Sequence, residues 1–86
     1  MIYGTIEVGT EPVQVPLGAA DVPVILNTGE STIYFGNDDE VSTETGIKLG
    51  AGIGYEFPNT LEYGRWKELW VVSDAEGGEL RYATVG

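Results

Sequence analysis

The chain has 86 residues, no cysteine and no histidine, and its 14 acidic residues outweigh four basic ones to give a net charge of −10. This length allows a single domain, residues 1–86, with a small core, and the lack of cysteine excludes disulfides and thiolate metal sites. The acidic balance disfavours contact with phosphate backbones, so we expect no nucleic-acid partner.

The N-terminal residues are not expected to form a targeting signal. Residues 1–7 lack the basic and apolar regions of a secretory signal, and no apolar run approaches the ~18 residues of a membrane-spanning helix. We therefore predict no membrane partner and synthesis in a cytoplasm, where the chain stays or joins a larger assembly.

The first residues alternate as a half-buried β-strand does. One face takes Ile2, Gly4, Ile6 and Val8, and the other takes Tyr3, Thr5 and Glu7. A turn at residues 9–12 leads to a second short strand at residues 13–15. Because proline lacks an N–H to donate, the segments around Pro12, Pro16 and Pro23 are expected at sheet edges or strand ends.

Residues 24–57 are the stretch around which the rest of the chain is organised, and we interpret them as a β-meander. Residues 22–26 are apolar on both faces and predict a central strand. Asn27, Thr28, Gly29 and Glu30 supply a turn, and residues 33–35 supply the next strand. Within the acidic loop at residues 37–46, Val41 is expected to turn back toward the core. Ile53, Tyr55 and Phe57 are expected to face inward.

The C-terminal half contains one strongly apolar run, residues 65–73. The spacing of Tyr63, Trp66 and Trp70 would suit one helical turn, but the Leu-Trp-Val-Val run favours a strand. Residues 74–78 predict a hairpin turn before a last strand. About seven short strands without a convincing helix predict an all-β fold, a small antiparallel β-sandwich or jelly-roll-like barrel.

Two motifs suggest ligands but favour simpler interpretations. The alternating Gly50, Gly52 and Gly54 indicate a strand corner, since no helix start follows to bind a phosphate. The four acids of the loop (Asp38, Asp39, Glu40 and Glu44) could gather around Ca²⁺, but their spacing does not fit an EF-hand, and a solvated loop is favoured.

The chain is not expected to be an enzyme. Paired carboxylates could serve glycoside hydrolysis, but so short a chain has little room for a cleft that desolvates one of them. The commonest general base and the thiol nucleophile are both absent. We therefore predict no catalytic residue, no cofactor and no metal.

The aromatic residues are numerous for a small core, and most of them are expected to fill it. If Leu69 and Val71 face inward, alternation turns Trp70 and Val72 outward, as an interface anchor or a platform for a sugar ring. The candidate interface therefore comprises Tyr63, Arg65, Trp66, Lys67, Trp70 and Val72, with the two basic residues as polar rim contacts.

The run VPVILNTGESTIYFGNDDEVSTETGIKL resembles a module of small structural proteins of tailed bacteriophages, the capsid decoration and minor virion proteins. The matching positions are residues 24–27, Gly29, residues 33–36, Val41, Gly46 and Leu49. Residues 69–73, followed by Gly77 and Gly78, also resemble that module, so the resemblance covers roughly residues 5–85.

The resemblance implies a β-sandwich on the capsid surface, made in the host cytoplasm and often a homotrimer, that carries no catalytic residues. Its partners would be the major capsid protein or other virion proteins. We therefore expect a non-enzymatic decoration or minor capsid protein that reinforces capsomer contacts, and Trp70→Ala to weaken its capsid occupancy. Two alternatives remain: a carbohydrate-binding module with Trp66, Trp70 and Tyr63 as stacking rings, and a tail or head-completion component.

Overall fold

A computed structural model describes residues 2–16, 21–56 and 68–85 of the chain, and these residues form two antiparallel β-sheets of four strands each. The strands are β1 (Ile2–Val8), β2 (Val13–Gln14), β3 (Asp21–Asn27), β4 (Ile33–Gly36), β5 (Ile47–Leu49), β6 (Gly54–Glu56), β7 (Trp70–Ser73) and β8 (Gly78–Val85). The predicted small all-β sandwich is confirmed, with eight strands in the described residues rather than about seven. None of these residues forms a helix long and apolar enough to cross a membrane.

Consecutive strands lie in different sheets, with the exception of β4 and β5. The first sheet has the order β1-β8-β3-β6 and the second has the order β2-β7-β4-β5. Among the described strands, only β4 and β5 are consecutive in the chain and also paired. The predicted β-meander is therefore wrong. Residues 27–30 and 74–78 do reverse the chain, but each reversal carries it from one sheet to the other, so the predicted hairpin before β8 is also wrong.

The core lies between the inner faces of the two sheets. Its buried members are Val8, Val15, Ile25, Ile33, Phe35, Leu49, Leu69, Val71 and Leu80. The rings of Phe35 in the second sheet and Tyr55 in the first are 5.3 Å apart between centroids and inclined at 48°, so they join the two layers. Alternation along each strand explains the arrangement, since every second residue faces the opposite sheet.

The prolines mark an edge and an irregularity. Pro12 and Pro16 flank β2, which lies at an edge of the second sheet, as predicted. Pro23 lies near the start of β3, before its regular pairing begins at Val24. Because β3 lies between β8 and β6, it is a central strand as its apolar run predicts, and of the two predicted locations Pro23 has the strand end and not the sheet edge. The register of β3 against β8 shifts between Asp21 and Val24, which accommodates the missing N–H.

The glycine-marked stretch turns the chain between β5 and β6, as predicted. Gly52 has φ +77°, and the Ile53 N–H donates to the Gly50 carbonyl at 3.0 Å. Ile53 lies in this turn and is 55% exposed, so its expected inward placement is wrong. Tyr55 contacts Phe35 but remains partly exposed, and Phe57 lies outside the described residues.

The acidic loop folds over the outer face of the second sheet. Val41 is buried, as predicted, but a Cβ built on Gly36 would lie 3.0 Å from its Cγ2. Gly36 follows inward-facing Phe35 in β4, so Val41 packs on the outer face and not in the core. Gly46 permits this packing, because a Cβ there would lie 2.7 Å from the Tyr34 Cβ and 2.8 Å from Val41 Cγ2.

Candidate functional site

Trp70 is half-buried on the outer face of the second sheet, next to the edge strand β2. Its Nε1 donates to Glu68 Oε1 at 3.4 Å, and the Gln14 Nε2 donates to the same oxygen at 3.3 Å. Gln14 is also the cross-strand neighbour of Trp70. The indole is therefore held against the edge strand by a shared carboxylate.

Val72 does not provide the exposed apolar surface that alternation predicted. It faces away from the core, beside Tyr34 of β4, but it is only 3% exposed. The prediction of an accessible Val72 is wrong, because a face that points away from the core can itself be covered. The other four members of the candidate interface (Tyr63, Arg65, Trp66 and Lys67) lie outside the described residues, so their grouping with Trp70 stays a prediction.

The outer face of the first sheet carries a surface that sequence reasoning missed, which we call the outer patch. Its members are Tyr3, Val24, Leu26, Arg81 and Ala83. The register places Ala83 between Tyr3 and Val24, and Arg81 between Thr5 and Leu26. Tyr3 is 78% exposed, Val24 37% and Leu26 38%, whereas Ala83 is buried between its neighbours.

Charged groups surround the apolar centre of the outer patch. Arg81 is exposed within it, and the same face carries Glu7, Glu79 and Glu56 at its sides. An apolar centre with one guanidinium and a rim of carboxylates is typical of a protein-binding surface. Arginine can also pair with a carboxylate of a partner through two hydrogen bonds.

The strand order creates the outer patch. Tyr3 belongs to the polar face that the alternation of β1 predicted, and Val24 and Leu26 share one face of β3. These residues become neighbours only because β8 lies between β1 and β3. The apolar character of β3 on both faces could have indicated the outer patch. When one face of a sheet meets water, the apolar side chains on that face of a central strand are exposed.

A cavity of about 370 Å³ lies at the end of β1 and is lined by Glu7, Glu76 and Glu79 with intervening backbone. Glu76 accepts a hydrogen bond from the Thr10 hydroxyl at 3.0 Å, and Glu79 accepts one from the Thr28 hydroxyl at 2.6 Å. These bonds tie neighbouring turns together. Two of the three carboxylates thus have a structural role.

The acids of the loop are exposed, and at least one is engaged locally. Asp38 Oδ1 accepts from the Glu40 N–H at 3.0 Å, which closes a turn. Among residues 2–16, 21–56 and 68–85, no group of three or more acidic side chains is placed to hold a metal ion.

We expect millimolar Ca²⁺ to leave the melting temperature at the value found in NaCl of equal ionic strength. A cation with several oxygen ligands would stabilise the folded state by mass action, whereas screening of the net charge acts equally in both salts. Thermal unfolding followed by circular dichroism measures the difference. A melting temperature that rises specifically with Ca²⁺ would restore the calcium interpretation.

In comparisons with known proteins, no protein-family model, curated protein or solved structure matches this chain.

Proposed function

We propose that this chain is a non-enzymatic structural protein of a tailed-bacteriophage virion, which binds the outer surface of the capsid and reinforces the contacts between capsomers. Its partner is the major capsid protein, and several identical copies of the chain act together on the shell. The protein is made in the host cytoplasm and then resides on the virion.

The observation that carries the proposal is the outer patch. Val24 and Leu26 are aliphatic residues in the middle of a sheet, yet each leaves more than a third of its surface in water. Burying such side chains against a partner contributes roughly 25 cal/mol per Å² of apolar surface removed from water. A patch of this composition on one regular face suits docking on another protein.

The charge of the chain supports the outer rather than the inner face of a capsid. The net charge of −10 repels the packaged genome, whose phosphate backbone is also negative. Within the outer patch, Arg81 supplies a local positive charge for a carboxylate on the capsid surface. The same charge keeps the free protein soluble before assembly.

Leu26→Glu should lower binding to capsids about tenfold or more, since it places a charge in the apolar centre of the docking face. The measurement is co-sedimentation of the purified protein with tailless heads of the phage that encodes it, stripped of their own copies. Thr43→Glu is the matched control, because it adds the same charge at an exposed loop position.

The two variants separate docking from a general effect of charge. Equal loss of binding in Leu26→Glu and Thr43→Glu would contradict docking through the outer patch. Failure of the unmodified protein to sediment with heads would contradict the capsid proposal itself. Binding to isolated tails in place of heads would also contradict it and would favour a tail component.

A further inference from the structure

Four of the strands that the structure describes lie at sheet edges, and they differ in how they are protected against pairing with another strand. Three of them are short: β2 has two residues and is flanked by prolines, β5 has three residues including Lys48, and β6 has three residues. By contrast, β1 has seven residues, no proline and no lysine. Long regular edges without these devices are templates for an added strand.

Every second residue of β1 directs its backbone N–H and C=O groups to the side of the strand that lies away from β8. The Glu79 carbonyl accepts from the Thr28 N–H at 3.1 Å, so the backbone polar groups of Glu79 face β3. Glu79 and Glu7 therefore form a non-hydrogen-bonded pair of the antiparallel ladder, because the N–H and C=O of one residue point to the same side of its strand. It follows that Tyr3, Thr5 and Glu7 direct their N–H and C=O groups away from β8.

These three residues form a self-complementary set. A two-fold axis through Thr5 in an antiparallel pair sets Tyr3 opposite the partner's Glu7, and Thr5 opposite the partner's Thr5. The backbone N–H and C=O groups of all three residues then exchange hydrogen bonds with the partner strand, about six in total. A two-fold axis at Glu7 would instead oppose like charges and leave Tyr3 unpaired. The arrangement at Thr5 is the one that uses the whole strand.

We propose that β1 pairs antiparallel with β1 of a second copy of the chain across a two-fold axis at Thr5, so that the first sheets of the two copies form one continuous sheet. The inference rests on the proposed assembly of identical copies and deepens it by naming the contact. It also replaces the three-fold arrangement that the resemblance implies with a two-fold one.

The pairing enlarges the docking surface. Tyr3 is the most exposed large hydrophobic residue among those described, at 78%, and it lies at the β1 end of the outer patch. In the paired sheet, the two outer patches lie on one face, with Tyr3, Thr5 and Glu7 of both copies between them. A strand pair buries less than the roughly 1,200–2,000 Å² of a standard interface, so we expect association that depends on concentration.

Site-specific cross-linking tests the axis directly, because the chain has no native cysteine. In Thr5→Cys, a short bismaleimide cross-linker should join two copies about tenfold or more faster than in Thr43→Cys, since pairing raises the local concentration of the second thiol. Both positions are exposed threonines, which makes the variants matched. Equal rates in the two variants would overturn the proposal.

Sedimentation equilibrium supplies an independent test. The unmodified chain and Thr43→Lys should form dimers as concentration rises, whereas Thr5→Lys, which opposes two ammonium groups at the axis, should weaken dimerisation about tenfold or more. A trimer, or a chain that stays monomeric at millimolar concentration, would overturn the two-fold contact. Dimers that do not bind heads would instead contradict the capsid proposal alone, so the two failures are distinguishable.

Discussion

Asn27→Ala should lower the free energy of unfolding by about 2–4 kcal/mol, a large share of the stability of so small a domain. Asn27 is fully buried, and its Nδ2 donates to the carbonyls of Ser31 at 2.7 Å and Leu49 at 2.9 Å. Its Oδ1 accepts from the Gly29 N–H at 3.1 Å. Alanine leaves these groups without the bonds that join the turn after β3 to the end of β5.

Urea denaturation followed by tryptophan fluorescence measures the change. Asn37→Ala is the matched control, because Asn37 is exposed in the acidic loop and its truncation should change the free energy of unfolding by no more than about 0.5 kcal/mol. Equal effects of the two substitutions would show that the buried amide does not hold the two sheets together.

Phe35→Ala should lower the free energy of unfolding by about 3–5 kcal/mol, through lost burial and the cavity it leaves. Phe35 is 1% exposed in the centre of the core, and its ring contacts Tyr55 of the opposite sheet. The variant is therefore expected to be largely unfolded at 37 °C, which loss of tyrosine and tryptophan near-ultraviolet dichroism would report.

Tyr3→Ala makes the matched comparison, since it truncates an aromatic residue that is mostly in water. Its effect on the free energy of unfolding should stay within about 0.5 kcal/mol. A destabilisation as large as that of Phe35→Ala would mean that Tyr3 is packed in the isolated protein. That result would contradict the exposed outer patch.

The predictions that depended on local chemistry were confirmed more often than those that depended on pairing. Alternation identified the two faces of β1, the apolar run identified β3 as a central strand, and the glycines identified a corner. Sequence period fixes which residues share a face of one strand. It does not fix which strands are neighbours, so turns with hairpin chemistry proved to be connections between sheets.

The same limit explains the candidate site. The outer patch brings together residues near both ends of the chain and in its first third, and only the order β1-β8-β3 makes them neighbours. The predicted interface was instead derived from the alternation of residues within one strand, which correctly predicted that Val72 faces away from the core. Whether that face meets water depends on other segments, which no pattern within residues 65–73 records.

The outer patch and the edge of β1 are two contact surfaces that we expect to act together in assembly. A small core limits the stability of a single copy, and contacts with a second copy and with a larger surface both add burial. The sheet edge defines how two copies align, and the continuous face defines what the pair can cover. Thr5→Lys should therefore also weaken attachment to capsids, through loss of the paired face.

Cryo-electron microscopy of the virion tests the central claim most directly. We expect density for this β-sandwich on the outside of the capsid, with the outer patch of Tyr3, Val24 and Leu26 directed at the major capsid protein and β1 at a two-fold contact between copies. Capsids that carry no such density, or copies whose outer patch faces solvent, would contradict it.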